Sequence, residues 1–233
     1  MCNGPVNPQI IAHRGASRAE RENTVAAFRT ARTLGAQAVE LDVRVTADGV
    51  LVVHHDPRLG ESGTPITHTP RRLLPVEIPT LDEALDACAG MWVNVEIKND
   101  PDEPDFDPTD HIAESVIHAL ARRNEHQRWL ISSFRFETVN RCRLMEPRIA
   151  TAWLTTDIPD DAIERVQRFG HRAVHPHYAS VTQDFIERSH AAGVQVNVWT
   201  CDEPDAMRRL VDWGVDGICT NVPDLALDVL GRR

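Results

Sequence analysis

Eight times in this chain of 233 residues a short apolar run gives way to an amphipathic stretch. The predicted strands are Ile10-Ile11 and residues 38–45, 91–98, 128–133, 149–154, 173–175, 194–200 and 217–220. The predicted helices follow at 24–35 (with Asn23 or Thr24 as cap and Gly35 as stop), 80–90, 109–123, 136–144, 159–169, 182–192, 203–213 and 223–230. Strands that alternate with helices pair in parallel, and eight such units in about 230 residues match a closed α/β barrel, the (β/α)₈ TIM barrel. Residues 1–233 read as a single such domain. In that architecture the chemistry sits at the C-terminal ends of the strands. His13, Glu40, Asp42, Glu96, Lys98 and Trp199 all fall at or near those ends.

The second strand opens the most informative stretch, VELDVRVTADGVLVVHHD. Glu40 and Asp42 are two apart, so on a strand their side chains share a face. The surrounding strand is apolar, and two like charges held there repel, so a cation is expected between them. A divalent metal is the simplest candidate. Asp48-Gly49 reads as a two-residue hairpin turn between Ala47 and Val50, and counting back places His55 opposite Asp42. A bulged three-residue turn would shift that pairing by one.

Three carboxylates converge if Glu96, from the third strand MWVNVEIK, joins the first two. An all-oxygen site suits a hard ion, Mg²⁺ or Ca²⁺, with Mn²⁺ as a third choice. His13 and His55 form a second convergent pair, able to divide acid and base duties near neutrality. His54, His175 and His177 carry no such assignment. Arg14 and Lys98 offer a bidentate guanidinium and a point-charge ammonium, suited to phosphate, although either also balances the carboxylates. Trp199 is placed to wall a small pocket. The segment after Asp56 up to Pro79 reads as an irregular loop, and the acidic, proline-rich stretch 100–110 as a solvated loop without chemistry.

The bulk composition excludes several classes. The formal charge of −10 repels phosphate backbones, which argues against nucleic-acid binding. No apolar run reaches membrane-spanning length, and the first residues hold neither a basic leader nor a long apolar segment, so the chain is read as cytoplasmic. Cys2, Cys88, Cys142, Cys201 and Cys219 are scattered and odd in number, as expected of reduced thiols.

These residues carry a resemblance. AHRGAS, ENTVAAF, ELDVRVTADGVLVVHHDPRL, EIPTLDEAL, VNVEIK, ISSF, VNVWT and GVDGICTN resemble, in order and spacing, the motifs of the glycerophosphodiester phosphodiesterase family. The resemblance implies a phosphoric diester hydrolase with one divalent cation, acting on small glycerophosphodiesters to release glycerol 3-phosphate and an alcohol. It implies His13 and His55 as the acid/base pair, Glu40, Asp42 and Glu96 as metal ligands, Arg14 and Lys98 on the phosphate, and Trp199 on the glycerol side. The chain departs from the pattern in two places: Arg21 stands where proline is usual, and Cys201-Asp202 where an aliphatic residue and Asn commonly follow Trp-Thr. Other readings are a lysophospholipase D-like or cyclic-phosphate-forming barrel phosphodiesterase, and a non-catalytic phosphodiester-binding protein. The first needs an apolar path, for which residues 60–79 offer only Leu73, Leu74, Val76 and Ile78.

Overall fold

A computed structural model of the chain describes residues 7–60 and 63–232; Cys2 lies outside them. Eight parallel strands close on themselves: β1 (Gln9–Ala12), β2 (Ala38–Val45), β4 (Trp92–Ile97), β5 (Trp129–Ser133), β6 (Ala150–Thr155), β7 (Ala173–Pro176), β8 (Gln195–Val198) and β9 (Gly217–Thr220). Closure comes from β1, which pairs with β2 on one side and β9 on the other. The extra strand β3 (Leu51–Val53) runs antiparallel along β2. Helices α1 (Val25–Thr33), α2 (Leu81–Ala87), α3 (His111–Ala121), α4 (Phe136–Met145), α5 (Ala162–Phe169), α6 (Gln183–Ala191), α7 (Pro204–Asp212) and α8 (Pro223–Val229) form the outer layer. This is the TIM barrel anticipated from the alternation.

Barrel strands are covered on both faces, which is why β2 is buried along almost its whole length. Helix starts follow capping chemistry. Thr24 caps α1, Thr182 caps α6, and Thr80 with Glu83 makes a capping box on α2. Cys88, Cys142, Cys201 and Cys219 are buried free thiols, and burial pushes Cys88 and Cys142 up to about 12.

The hairpin between β2 and β3 differs from the two-residue expectation. Thr46 and Val50 close it, with Thr46 N–H donating to the Val50 carbonyl at 3.0 Å. The turn therefore holds three residues, and Val43 pairs with Val53. The cause is local. Gly49 alone takes a positive φ, +78°, while Asp48 turns its carboxylate onto the Thr46 hydroxyl (2.6 Å) and the Arg71 N–H (2.9 Å). His54, not His55, thus stands opposite Asp42, its N–H donating to the Asp42 carbonyl at 2.9 Å.

The loop from Asp56 to Pro79 includes two short 3₁₀ turns, Ile66–His68 and Arg71–Leu73. The acidic stretch 100–110 is also less free than expected. Arg44, fully buried on β2, reaches Glu103 at 2.9 Å and Asp105 at 2.6 Å. It also donates to the His55 carbonyl from Nε at 2.8 Å and Nη2 at 2.5 Å. One guanidinium thus ties the loop after β4 to the backbone of a candidate catalytic histidine.

Two predictions follow from these burials. Arg44→Met leaves Asp105 and the His55 carbonyl without their cation, and breaking a buried pair should cost about 3 kcal/mol. Urea denaturation measures it; a loss below about 1 kcal/mol would mean the pair behaves as an exposed one. The second concerns His175, buried in the barrel, whose imidazole burial alone pushes from 6.5 down to about 3. The unfolded chain therefore binds a proton that the folded chain refuses. The contribution is complete above pH 6.5 and is lost as pH falls from 6.5 towards about 3. Denaturation at pH 7.5 and again at about 4.5 should show wild type losing more stability on acidification than His175→Asn. Equal losses would remove His175 as the source.

Candidate active site

The parallel register sets the centre of the barrel mouth. Asp42 on β2 lies beside Glu96 on β4, and Glu40 beside Asn94. One oxygen from each of Glu40, Asp42 and Glu96 lies within 4.8 Å of the others, and all three residues are buried. Among the described residues this is the one acidic or histidine/cysteine group able to hold a metal ion.

Two cations are drawn into the cluster. Lys98 places Nζ 2.5 Å from Glu96 Oε1 and 2.9 Å from Asp42 Oδ1. Arg14 Nε lies 3.2 Å from Asp42 Oδ2, while Nη1 bonds both Glu22 oxygens at 3.0 Å. The backbone helps as well. Arg14 adopts φ 56°, and its N–H donates to Glu40 Oε2 at 3.0 Å. Gly15 follows at φ +82°, where a Cβ would meet the Ala27 backbone at 2.7 Å, so only glycine lets this turn pack against α1.

Lys98 and Arg14 both pair with Asp42, which leaves the Glu40 carboxyl without a cation paired to it among the described residues. Burial, then Asp42 and Glu96, push its carboxyl well above the usual range, and its Oε1 is buried without a partner. Glu96 is raised by burial in the same way, with Asp42 adding to it. Asp42 goes the other way. Burial would raise it, but Lys98, Arg14 and the amide of Asn23, which donates to Oδ2 at 2.7 Å, hold it below the usual range. An orphaned buried oxygen in an all-oxygen cluster fits a hard divalent cation.

The two histidines flank this cluster. His55 lies just beyond β3, where the chain leaves the strand, and Nδ1 contacts Asp56 Oδ1 at 2.7 Å. His54 turns away onto the Asp56 carbonyl. His13 lies just beyond β1, and Nδ1 contacts Asn221 Oδ1 at 2.7 Å. Burial lowers both imidazoles, with Arg14 adding for His13 and Lys98 for His55.

His13, Arg14, Glu40, His55, Glu96, Lys98 and Trp199 all line one cavity of about 240 Å³, and Asp42, fully buried, is tied to the lining Arg14 and Lys98. Larger open grooves, such as the one of about 660 Å³ between α1 and α2, hold none of these groups. Trp199, just past β8, donates from Nε1 to the His175 carbonyl at 2.8 Å and meets Phe134 edge-to-face at 5.3 Å. All eight residues singled out from the sequence are thus brought to one place.

Several cavity residues were not singled out. Phe134 belongs to a quoted motif, ISSF, and forms a wall with Trp199. His175, buried and bonded to Asn197 at 2.9 Å, lines the same cavity. His177 packs against Trp199 at 5.3 Å. Asn23, read only as a possible cap, instead takes φ 57° and holds Asp42, while Thr24 does the capping. The signal for Asn23 and Asn221 was present: they stand inside the quoted motifs ENTVAAF and GVDGICTN.

The model of the glycerophosphoryl diester phosphodiesterase family matches residues 13–225. The chain is 35% identical to "Probable glycerophosphodiester phosphodiesterase 2" of Mycobacterium tuberculosis, covering 96% of this chain and 90% of that protein. A crystal structure of a glycerophosphodiester phosphodiesterase from Parabacteroides distasonis superposes with TM-score 0.86 at 25% identity, covering 98% of each chain. A phosphodiesterase of Oleispira antarctica, solved with its product sn-glycerol-3-phosphate, superposes with TM-score 0.84 at 27% identity, over 96% of this chain and 97% of that one. With the family's model spanning nearly the whole chain and full-length relatives bearing its name, this chain belongs to the glycerophosphoryl diester phosphodiesterase family and is a phosphoric diester hydrolase.

Proposed function

We propose that the chain, working as one domain, hydrolyses small deacylated glycerophosphodiesters to glycerol 3-phosphate and a free alcohol, using His13 and His55 as its acid/base pair. The observation that carries this reading is convergence: His13, His55, Glu40, Glu96, Arg14 and Lys98 line one cavity of about 240 Å³, and Asp42 completes the carboxylate cluster within 4.8 Å. The Oleispira relative holding sn-glycerol-3-phosphate supports the same substrate class.

Glu40, Asp42 and Glu96 would hold a divalent cation, Mg²⁺, Ca²⁺ or Mn²⁺. Bound there, such an ion supplies charge neutralisation on the phosphate oxygens. Arg14 and Lys98 bind the same phosphate from either side of Asp42, and their charge matters most as negative charge grows in the transition state. One histidine takes the proton of the attacking hydroxyl, and the other gives a proton to the departing alkoxide. Burial holds both imidazoles below their ordinary value, which favours the neutral form that the base requires. Trp199 and Phe134 form an apolar wall for the glycerol carbons.

Among the described residues an acyl chain finds no comparable path. Leu74 and Ile78 are buried in a small cluster with Val52 and Ile66. Leu73 and Val76 are exposed, but neither lines the cavity. Among the described residues no helix is long and apolar enough to cross a membrane.

The test is a coupled assay for glycerol 3-phosphate across a head-group series, run with and without chelator and beside a lysophospholipid. Glycerophosphocholine and glycerophosphoethanolamine should both turn over, and chelator should abolish activity that added Mg²⁺, Mn²⁺ or Ca²⁺ restores. Full turnover in excess chelator would end the metal assignment, and a kcat/KM for the lysophospholipid at or above the deacylated compounds would end the substrate assignment.

The histidines are tested separately. His13→Ala and His55→Ala should each lower turnover by roughly 10² to 10⁴ while leaving metal affinity intact. His54→Ala should do little. Lost metal binding in either of the first two would reassign that histidine as a ligand.

A further inference from the structure

His13 does not stand alone at the mouth. Its Nδ1 lies 2.7 Å from Asn221 Oδ1, and the same oxygen accepts from the Ser17 hydroxyl at 2.8 Å. The other end of the Asn221 amide is fixed by charge: Nδ2 donates to Asp202 Oδ2 at 2.7 Å. Asp202 is itself clamped. Its Oδ1 accepts from the Thr220 hydroxyl and from the Asn221 N–H, each at 2.9 Å.

This chain of contacts has one consistent arrangement of protons. A carboxylate only accepts, so the Asn221 group facing it must be the amino group. The carbonyl oxygen is then turned to His13, and an amide oxygen cannot donate. Nδ1 of His13 must therefore carry the hydrogen. We propose that Asp202 and Asn221 are positioning residues for His13, fixing the imidazole as its Nδ1–H tautomer so that Nε2 is the nitrogen presented to the cavity.

The positions involved make the point specific to this chain. Asp202 belongs to the pair Cys201-Asp202, one of the two departures from the pattern of the family that the sequence resembles, where Asn is common. An Asn there would offer its neighbour a weaker and reversible partner, whereas the carboxylate admits only one orientation of Asn221. The barrel closure makes the contact available, since Ala12 pairs with Thr220 and the His13 N–H donates to the Thr220 carbonyl at 2.9 Å. Residues 13 and 221 are thereby held side by side across the closing seam.

The proposal rests on the catalytic role given to His13, and its test separates the two. Asn221→Leu should lower kcat roughly 10- to 100-fold with KM nearly unchanged, the range for loss of an outer partner. Asn221→Asp alone sets two carboxylates together and should lose a similar amount. Asp202→Asn frees the amide to flip and should lose less. The double exchange Asp202→Asn with Asn221→Asp reverses the pair: the new amide donates to the new carboxylate, whose oxygen again faces Nδ1. Its kcat should return to within a few-fold of wild type, which a simple loop-bracing role does not require. The idea is overturned if the double exchange stays as low as Asn221→Asp while folded by thermal melting, or if Asn221→Leu keeps the wild-type kcat. Nitrogen NMR of the neutral imidazoles, with His13→Gln to assign the signal, needs no turnover at all. It should show Nδ1 protonated and Nε2 bare in wild type, and an Nε2–H tautomer there would overturn the proposal even if the enzyme's substrate proved different.

Discussion

Mutual repulsion among Glu40, Asp42 and Glu96 is the constraint around which the barrel mouth is arranged. Two unit charges about 4 Å apart at an effective dielectric near 20 interact by about 4 kcal/mol, so three buried carboxylates are untenable without compensation. Lys98 sits between two of them, Arg14 approaches Asp42 from the other side, and Asn23 adds an amide. Each of these contacts demands something of the chain elsewhere. Arg14 and Asn23 both adopt positive φ, and Gly15 has no room for a side chain. Local conformational cost is accepted where it brings positive charge or a donor to Asp42.

What was legible in the sequence follows from how short-ranged its cause is. The period-two placement of Glu40 and Asp42 needs only strand geometry, and the strand runs from Ala38 to Val45 as read. Capping threonines likewise start α1, α2 and α6 at Thr24, Thr80 and Thr182. The hairpin register went wrong by one because Asp48 is used as an acceptor for Thr46 and Arg71 and not as a positive-φ turn residue. That choice depends on Arg71, more than twenty positions along, which no dipeptide rule includes. His55 reached the cavity all the same, since β3 ends at Val53 and the alternation of faces ends with it.

The roles of Asn221, Asp202 and Arg44 were unreadable for a related reason, although Asn221 stands in a quoted motif. Their roles come from contacts that exist only once the barrel closes or a loop folds back, as between His13 and Asn221 or Arg44 and Glu103. Polar residues in an acidic, proline-rich stretch look solvated until a buried guanidinium is placed beneath them. A chain-order reading can nominate such residues by type, but burial decides whether they matter.

The two halves of the barrel divide the work. The first four parallel strands and their loops supply every charged group of the centre: Arg14, Glu40, Asp42, Glu96 and Lys98. The second half supplies shape and orientation, through Leu154, His175 and Trp199 on the wall and Asp202 and Asn221 behind His13. Net charge explains why the division is useful. A chain at −10 repels an anionic diester at long range, so binding must come from Arg14 and Lys98 at short range, inside a cavity where screening is weak. Those cations are already committed to carboxylates, which fixes their positions tightly. Changes of substrate shape can then accumulate on the uncharged wall without disturbing the balance of charge that the centre requires.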